Sequence, residues 1–511
     1  MRLWASLSLL CLALAIEAKK NVLFLVSDDM RPQLGAYQNT PYFPDPVSPR
    51  MHTPNIDALA SQSLLLQQAF VQQAVCSPSR TSLLTGRRPD TTHVTDLVHY
   101  FRKVAGNYTT IPQYFKQHGY MTAGFSKIFH PGGASGHDDP ISWTEPYYHP
   151  DQSHEPKDVW KAVPESQWSK YPLVDQQTTK KGIEALRKAA PKALNGEQPF
   201  FIAIGYLKPH LPFVFPDKFL DYYPLDNISM PDNMYASVNL PLIAWSNFDE
   251  LRGDHPEIGN KFGYGGMNTT FLSPKWVKDL RRAYFASISY VDDLIGLVLK
   301  ELEALGLAND TIVSFWGDHG WQLGEHAEWC KHTNFEIATH APMMVRVPGL
   351  TDGGVKTHKL TEFVDLFPTL AEAAGLPAVP LCPEGKETTV ETCTEGVSFL
   401  PLAKIPHGPW KKAVFSQYPR MGSSGNIYMG YSMRTTRYRY TEWVTYLDWP
   451  DWKTPWGPVF HSNGAELYDH KVDPQENYNS AFDHDYQDVR KRLSKKLRKG
   501  WRHALPGHKK Y

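Results

Sequence analysis

The sequence has no net charge: 53 Lys and Arg balance 53 Asp and Glu over 511 residues. Bulk charge therefore gives no reason to expect a nucleic acid or another polyanion as partner. Long apolar runs are also lacking. The run after Met1-Arg2-Leu3-Trp4 ends at Ile16, too short for a comfortable membrane span, and no later stretch could cross a bilayer. No membrane anchor is expected. Hydrophobic content of 41% and aromatic content of 13% are those of an ordinary globular chain, and neither repeats nor disorder need be invoked. Cysteine is scarce, five in all.

What is present at the N-terminus is one Arg, a short apolar core and small residues around Ala13, Ala15 and Ala18. This predicts a signal peptide over residues 1–18 and a secretory route, lysosomal or secreted. Sequons at Asn107, Asn227, Asn268 and Asn309 then become candidate glycosylation sites. Cys11 leaves with the signal. Cys382 and Cys393 lie close together, and an oxidising compartment allows them to pair. Cys76 and Cys330 remain as unpaired thiols, unusual in an exported chain.

Short apolar runs recur at 21–26, 200–206, 311–316 and 343–347, and each reads as a buried parallel strand. Helical patterns lie between them over 56–66, 175–193 and 275–305. This alternation predicts a doubly wound α/β sheet, with ligands bound outside the carboxyl ends of the strands. From about Gly408 the texture changes to mixed strands over 414–418, 427–433 and 438–444, then a final helix after Asp483. The expected organisation is a catalytic domain over 19–405 and a smaller α+β subdomain over 406–511.

Two groups carry chemistry. Asp28-Asp29 and Asp318-His319 each follow a strand. Adjacent carboxylates repel one another, and a divalent cation relieves that repulsion. Hard oxygen ligands favour Ca²⁺ or Mg²⁺, whereas the imidazole of His319 suits softer metals. Cys76-Ser-Pro-Ser-Arg80 puts a thiol near a helix start with an Arg one turn on, both of which stabilise an anion. On residue chemistry alone Cys76 is either a buried thiol or a thiolate nucleophile.

Cys76-Ser-Pro-Ser-Arg80 with Leu84-Thr-Gly-Arg87 resembles the signature of the type I sulfatases. Asp28-Asp29, Gly124-Phe-Ser-Lys127 with His130, Lys208-Pro-His210, Asp318-His319-Gly320 and Lys331 agree in order. Within the family, stretches such as Gly205-Tyr-Leu-Lys-Pro-His-Leu-Pro-Phe213, Gly317-Asp-His-Gly-Trp-Gln-Leu-Gly-Glu-His326 and Ser416-Gln-Tyr-Pro-Arg420 are similar to those of enzymes that remove the 2-O-sulfate of iduronate from heparan or dermatan sulfate. Cys330, the short segment between His149 and Asp175 and the basic tail after Val489 depart from that pattern.

The resemblance implies an alkaline-phosphatase-like sheet, a formylglycine made from Cys76 by the formylglycine-generating enzyme, and one Ca²⁺ held by Asp28, Asp29, Asp318, His319 and residue 76. It implies catalytic roles for Arg80, Lys127, His130, His210 and Lys331, and contact with a sulfated glycosaminoglycan oligosaccharide through Lys208, Trp321, Arg420 and Arg434. Equally, Lys208 reads as a solvated amine, and Arg420 and Arg434 as ion-pairing residues that hold the two domains together. Two other readings compete. A phosphatase, phosphodiesterase or phosphonate hydrolase of the same fold would carry Thr or Ser where Cys76 stands. A non-catalytic binder of sulfated glycans would use the basic tail. There Tyr486, Val489, Leu493, Leu497 and Trp501 share one helical face, predicting a docked helix with a solvated basic side.

Overall fold

The computed structural model describes residues 19–38, 40, 49–246, 249–262, 272–422, 425–446 and 462–507. The expected signal peptide, with Cys11, and the sequon at Asn268 lie outside the described residues. Seven strands form the main sheet: β1 (Asn21–Ser27), β2 (Leu64–Leu66), β3 (Met121–Ser126), β4 (Phe200–Tyr206), β5 (Thr311–Gly317), β6 (Met343–Arg346) and β7 (Val355–Thr357). Their order is β7-β2-β6-β5-β1-β4-β3. β1 is parallel to β5 on one side and β4 on the other, with Leu23 opposite both Ile202 and Val313.

Side chains of β1 alternate between two cores. Leu23 and Leu25 enter one, Val22, Phe24 and Val26 the other, all fully buried. A strand covered on both faces has no polar side to show, hence its continuous apolar run. Helices α2 (Val174–Leu194) and α3 (Pro274–Ala304) cover the first face through residues such as Leu186, Ile288 and Ile295. Helix α1 (Cys76–Thr85) covers the second through Leu83 and Leu84. Helices on both faces of a mostly parallel sheet give the expected doubly wound architecture. Truncating Leu23, Phe24 or Leu25 to Ala is expected to cost about 2–5 kcal/mol.

Two expectations fail locally. β6 is antiparallel to both β5 and β2, whereas its apolar run was expected to be parallel. A fully buried strand is apolar in either direction, so the run carries no sign of orientation. The helix expected over 56–66 stops at Ala60, and Leu64–Leu66 forms β2. Ser61, Gln62 and Ser63 turn the chain, and the three leucines are buried between β6 and β7.

The smaller subdomain is an antiparallel sheet of β8 (Ala413–Met421), β9 (Ile427–Thr435), β10 (Tyr438–Thr445) and β11 (Ser462–Asp469), paired in that order. The last strand went unread in the sequence because Asn463 and Gly464 interrupt its pattern. Helix α4 (Gln487–Lys499) packs Leu493 and Leu497 onto this sheet. Cys382 and Cys393 form a disulfide, with Cα atoms 4.9 Å apart.

Candidate active site

Four neighbouring parallel strands deliver the chemistry at their carboxyl ends. β1 leads into Asp28-Asp29, β5 into Asp318-His319, β4 towards Lys208 and His210, and β3 into Lys127. Close backbone approach makes this possible. A Cβ on Gly205 would lie 2.3 Å from the Lys127 carbonyl oxygen, and one on Gly317 2.4 Å from that of Met30. Asp29 itself adopts a left-handed φ of 59°, and its N–H donates to Asp318 Oδ1 at 2.8 Å. Aspartate tolerates this conformation better than most residues.

Cys76 opens α1, whose C-terminus is closed by Gly86 at φ 65°. Its Sγ lies 3.5 Å from His319 Nε2, 3.6 Å from Asp28 Oδ1, and 3.8 Å from both Asp29 Oδ1 and Lys127 Nζ. One turn on, Arg80 donates through Nε to Asp318 Oδ2 and through Nη2 to Asp28 Oδ1, both at 2.8 Å. It also donates to the carbonyls of Lys127 and Ile128. Lys127 pairs with the other oxygen of Asp28. Lys331 lies 3.0 Å from Asp29 Oδ1 and 2.7 Å from Glu250 Oε1.

The electrostatics favour a cation over a thiolate. Burial, with Asp28 adding to it, pushes the Cys76 thiol well above its ordinary value. A free thiolate is therefore disfavoured where it would be needed. Burial opposes ionisation of Asp28, yet Lys127 and Arg80 beside it hold its carboxyl well below the usual range. Asp29 is less well compensated. Burial, together with Asp28, Glu250 and Asp318, pushes it well above the usual range despite Lys331. A divalent cation would remove that penalty.

The donor set fits one. Ligand atoms of Asp29, Cys76, Asp318 and His319 lie within 4.8 Å of one another. His319 Nδ1 is 2.9 Å from the Gly320 carbonyl oxygen; donating there leaves the Nε2 lone pair facing the carboxylates. Burial pushes this imidazole down to about 4, so it is neutral and able to ligate.

Both further histidines flank the cluster. His210 Nε2 lies 3.3 Å from Glu250 and 3.8 Å from Asp29. Its Nδ1 is bonded to the Leu211 carbonyl. His130 Nδ1 is 3.0 Å from the Pro131 carbonyl oxygen. Burial, then Lys127, pushes His130 down to about 4.

The four residues expected to touch substrate all have partners within the chain. Lys208 is not a solvated amine: it is buried and donates to the carbonyls of His210 and Pro212. Trp321 is fully buried, stacked on Tyr284 and lying 4.9 Å beneath the Lys331 ammonium. Arg420 donates to the carbonyls of Trp245 and His332 and stacks on Tyr418. Arg434 is buried against Glu336 of the short helix Glu336–Thr339, in a network with Arg439 and Glu476 that ties the antiparallel sheet to the main body.

Cys330 is buried at φ 68°. Asn107, Asn227 and Asn309 are exposed, as sequons require.

Sequence reasoning missed Glu250. Its carboxylate joins Lys331, His210 and His332, the last at 2.9 Å. His332 in turn bonds Tyr418 at 2.7 Å. Glu250 lies in the short helix Asp249–Gly253, which carries no motif, so no local signal marked it.

Buried carboxylates and an imidazole around a helix-borne residue 76, ringed by three cations at the edge of a doubly wound sheet, define a hydrolase of oxyanion esters. The family profile described as "Sulfatase" matches residues 20–376, and that of "N-sulphoglucosamine sulphohydrolase, C-terminal" matches residues 324–503. Iduronate 2-sulfatase of Homo sapiens is 38% identical, the match covering 94% of this chain and 96% of that protein.

Among solved structures, a protein in complex with its substrate D-glucosamine-2-N,6-O-disulfate superposes with TM-score 0.67 at 19% identity, over 94% of this chain and 97% of the other. A phosphonate monoester hydrolase of Agrobacterium radiobacter gives 0.64 at 20%, over 94% and 95%. These two show a shared fold alone. The chain belongs to the sulfatase family and is a sulfuric ester hydrolase.

Proposed function

We propose that this chain removes the 2-O-sulfate of iduronate in heparan or dermatan sulfate, using a formylglycine made from Cys76 beside one Ca²⁺. The observation that carries this is the position of Cys76, at the start of α1 with Sγ 3.5–3.8 Å from His319, Asp28, Asp29 and Lys127. The likeness to iduronate 2-sulfatase over most of both chains supports the substrate class. The disulfide and three exposed sequons support maturation in the secretory pathway and a lysosomal or secreted destination.

Asp28, Asp29, Asp318 and His319 would hold the cation, which supplies positive charge that favours an alkoxide at residue 76. Oxidised to the aldehyde and hydrated, that side chain supplies two hydroxyls on one carbon, one to attack sulfur and one whose proton loss expels sulfate. The chain's own groups do the rest. Arg80 keeps Asp28 and Asp318 in register behind the nucleophile. Lys127, beside residue 76, and Lys331, beside Asp29, take the charge of the sulfate oxygens. As the sulfur–oxygen bond to the sugar breaks, His210 would protonate the departing oxygen from its imidazolium form, which Glu250 beside Nε2 favours against the burial that pushes this group well below its ordinary value. Neutral His130 accepts the proton of the second hydroxyl, and sulfate leaves as the carbonyl re-forms.

Two measurements test this reading. The peptide holding residue 76, taken from active enzyme, should weigh as the aldehyde in place of the thiol. Defined sulfated disaccharides should be turned over only when they carry 2-O-sulfated iduronate. An intact thiol in fully active enzyme, or a different preferred sugar, overturns the corresponding part. Cys76→Ala should fold, because one sulfur atom is removed from a polar cluster, and should turn over nothing.

A further inference from the structure

Charge is balanced over the whole chain but not over α4. Its sequence, QDVRKRLSKKLRK, carries seven Lys and Arg residues against one Asp. The apolar side of this helix is in use: Leu493 and Leu497 are 2% and 4% exposed, packed with Met433, Tyr440 and Leu467 of the subdomain sheet. Docking fixes which side faces outward. Arg492, Lys495 and Lys499 follow one another at steps of three and four, on the side opposite those leucines, and all three are exposed.

Acids at the flanks of α4 are already paired. Glu442 lies 2.8 Å from Arg498, Glu387 2.5 Å from Arg502, and Asp488 3.5 Å from Lys491. Among the described residues, no carboxylate lies within ion-pair distance of Arg492, Lys495 or Lys499. Like charges at these spacings destabilise a helix, so the row is kept against a local cost. It spans about 10 Å, at about 1.5 Å per residue, which suits an extended polyanion better than a single anion.

We propose that this face of α4 is a docking surface for a sulfated polysaccharide chain, distinct from the residue-76 site, which holds no residue of this helix. The proposal rests on the reading of the substrate as a sulfated glycan, and it adds a second point of attachment for long chains. A membrane surface fits less well, because insertion needs apolar side chains on the outward face, and those of α4 point into the protein. A polymer bridging both sites gains from effective concentration, and a disaccharide cannot.

The test compares the full-length enzyme with a triple variant, Arg492→Gln, Lys495→Gln and Lys499→Gln, in which helix propensity is kept. Binding of labelled heparin is followed by fluorescence anisotropy across a salt series, with no turnover required. The variant should bind at least tenfold more weakly, with a shallower dependence on salt. Its kcat/KM for a sulfated disaccharide should be unchanged, while that for polymeric substrate falls severalfold.

A charge-preserving variant, Arg492→Lys with Lys495→Arg and Lys499→Arg, should bind as the natural chain does. Undiminished heparin affinity in the Gln variant overturns the proposal. So does equal affinity of the natural chain for phosphatidylserine vesicles or duplex DNA at the same ionic strength. Heparin binding without disaccharide desulfation would instead refute the substrate reading and leave the docking surface standing.

Discussion

Arg80 Nε donates to Asp318 Oδ2 at 2.8 Å with both side chains fully buried, although 238 positions separate them in the chain. The same guanidinium reaches Asp28. One residue of α1 therefore ties the ends of β1 and β5 together directly beneath residue 76. Its planar fork allows this; a lysine has one point of attachment to offer.

Arg80→Ala should be destabilised by about 3–5 kcal/mol, because two buried carboxylates lose their partner. Arg80→Lys should recover part of that stability but little turnover, with a loss of about 10²-fold or more in kcat. Urea unfolding and an aryl sulfate assay check both. Near-natural turnover in Arg80→Lys would show that charge alone suffices.

Chelation should abolish turnover and lower the melting temperature, since a cation bound only by the folded chain stabilises it by mass action. Ca²⁺ should restore both. Asp29→Asn should lose the metal in elemental analysis while remaining folded, because its carboxyl is already the least compensated of the cluster. A folded Asp29→Asn enzyme with full metal content would remove Asp29 from the ligand set.

Arg420 is engaged with the carbonyls of Trp245 and His332, so it braces the loop that carries Lys331. Arg420→Ala should depress turnover of a sulfated uronate and of an aryl sulfate equally, with a stability loss of about 1.5–3 kcal/mol. A loss confined to the uronate, at unchanged melting temperature, would instead assign Arg420 to the substrate carboxylate.

Above about pH 6.5, where the lowered histidines are neutral folded or unfolded, stability should fall as pH rises towards about 8. Burial pushes Glu328 up to about 8 from an ordinary 4.5, and Glu466 up to about 7. Between the ordinary and the raised value the folded chain holds a proton that the unfolded chain does not, so unfolding becomes easier with each step up in pH. Below about 4.5 both states are protonated and these contributions are constant. Glu328→Gln should flatten the slope of unfolding free energy against pH between about 5 and about 8. An unchanged slope would show that Glu328 ionises normally in the fold.

The parts of the site that follow strands were legible in the sequence. Asp28-Asp29 and Asp318-His319 come directly after continuous apolar runs, and Cys76 and Arg80 sit one helical turn apart. Local patterns of this kind survive folding because the sheet edge collects them. Direction and partnership were not legible. β6 reads the same forwards and backwards, and the sequence leaves Arg420 and Arg434 open to a substrate or a structural partner alike, without pointing to His332 or Glu336. Glu250 was invisible for the same reason: its partners Lys331 and His332 are more than 80 residues away.

The burial of Cys76, 2% exposed once the chain is folded, sets a deadline on its chemistry. His319, which helps to close the site over it, is 243 residues further along. At about 5–20 residues per second, synthesis leaves an interval of roughly 12–50 s in which residue 76 has been made and its enclosure has not. An enzyme that oxidises this thiol must reach it as a stretch of unfolded chain within that interval, or wait for a rare opening afterwards. Substitutions that hasten closure of the site would then yield protein that is correctly folded, abundant and inert.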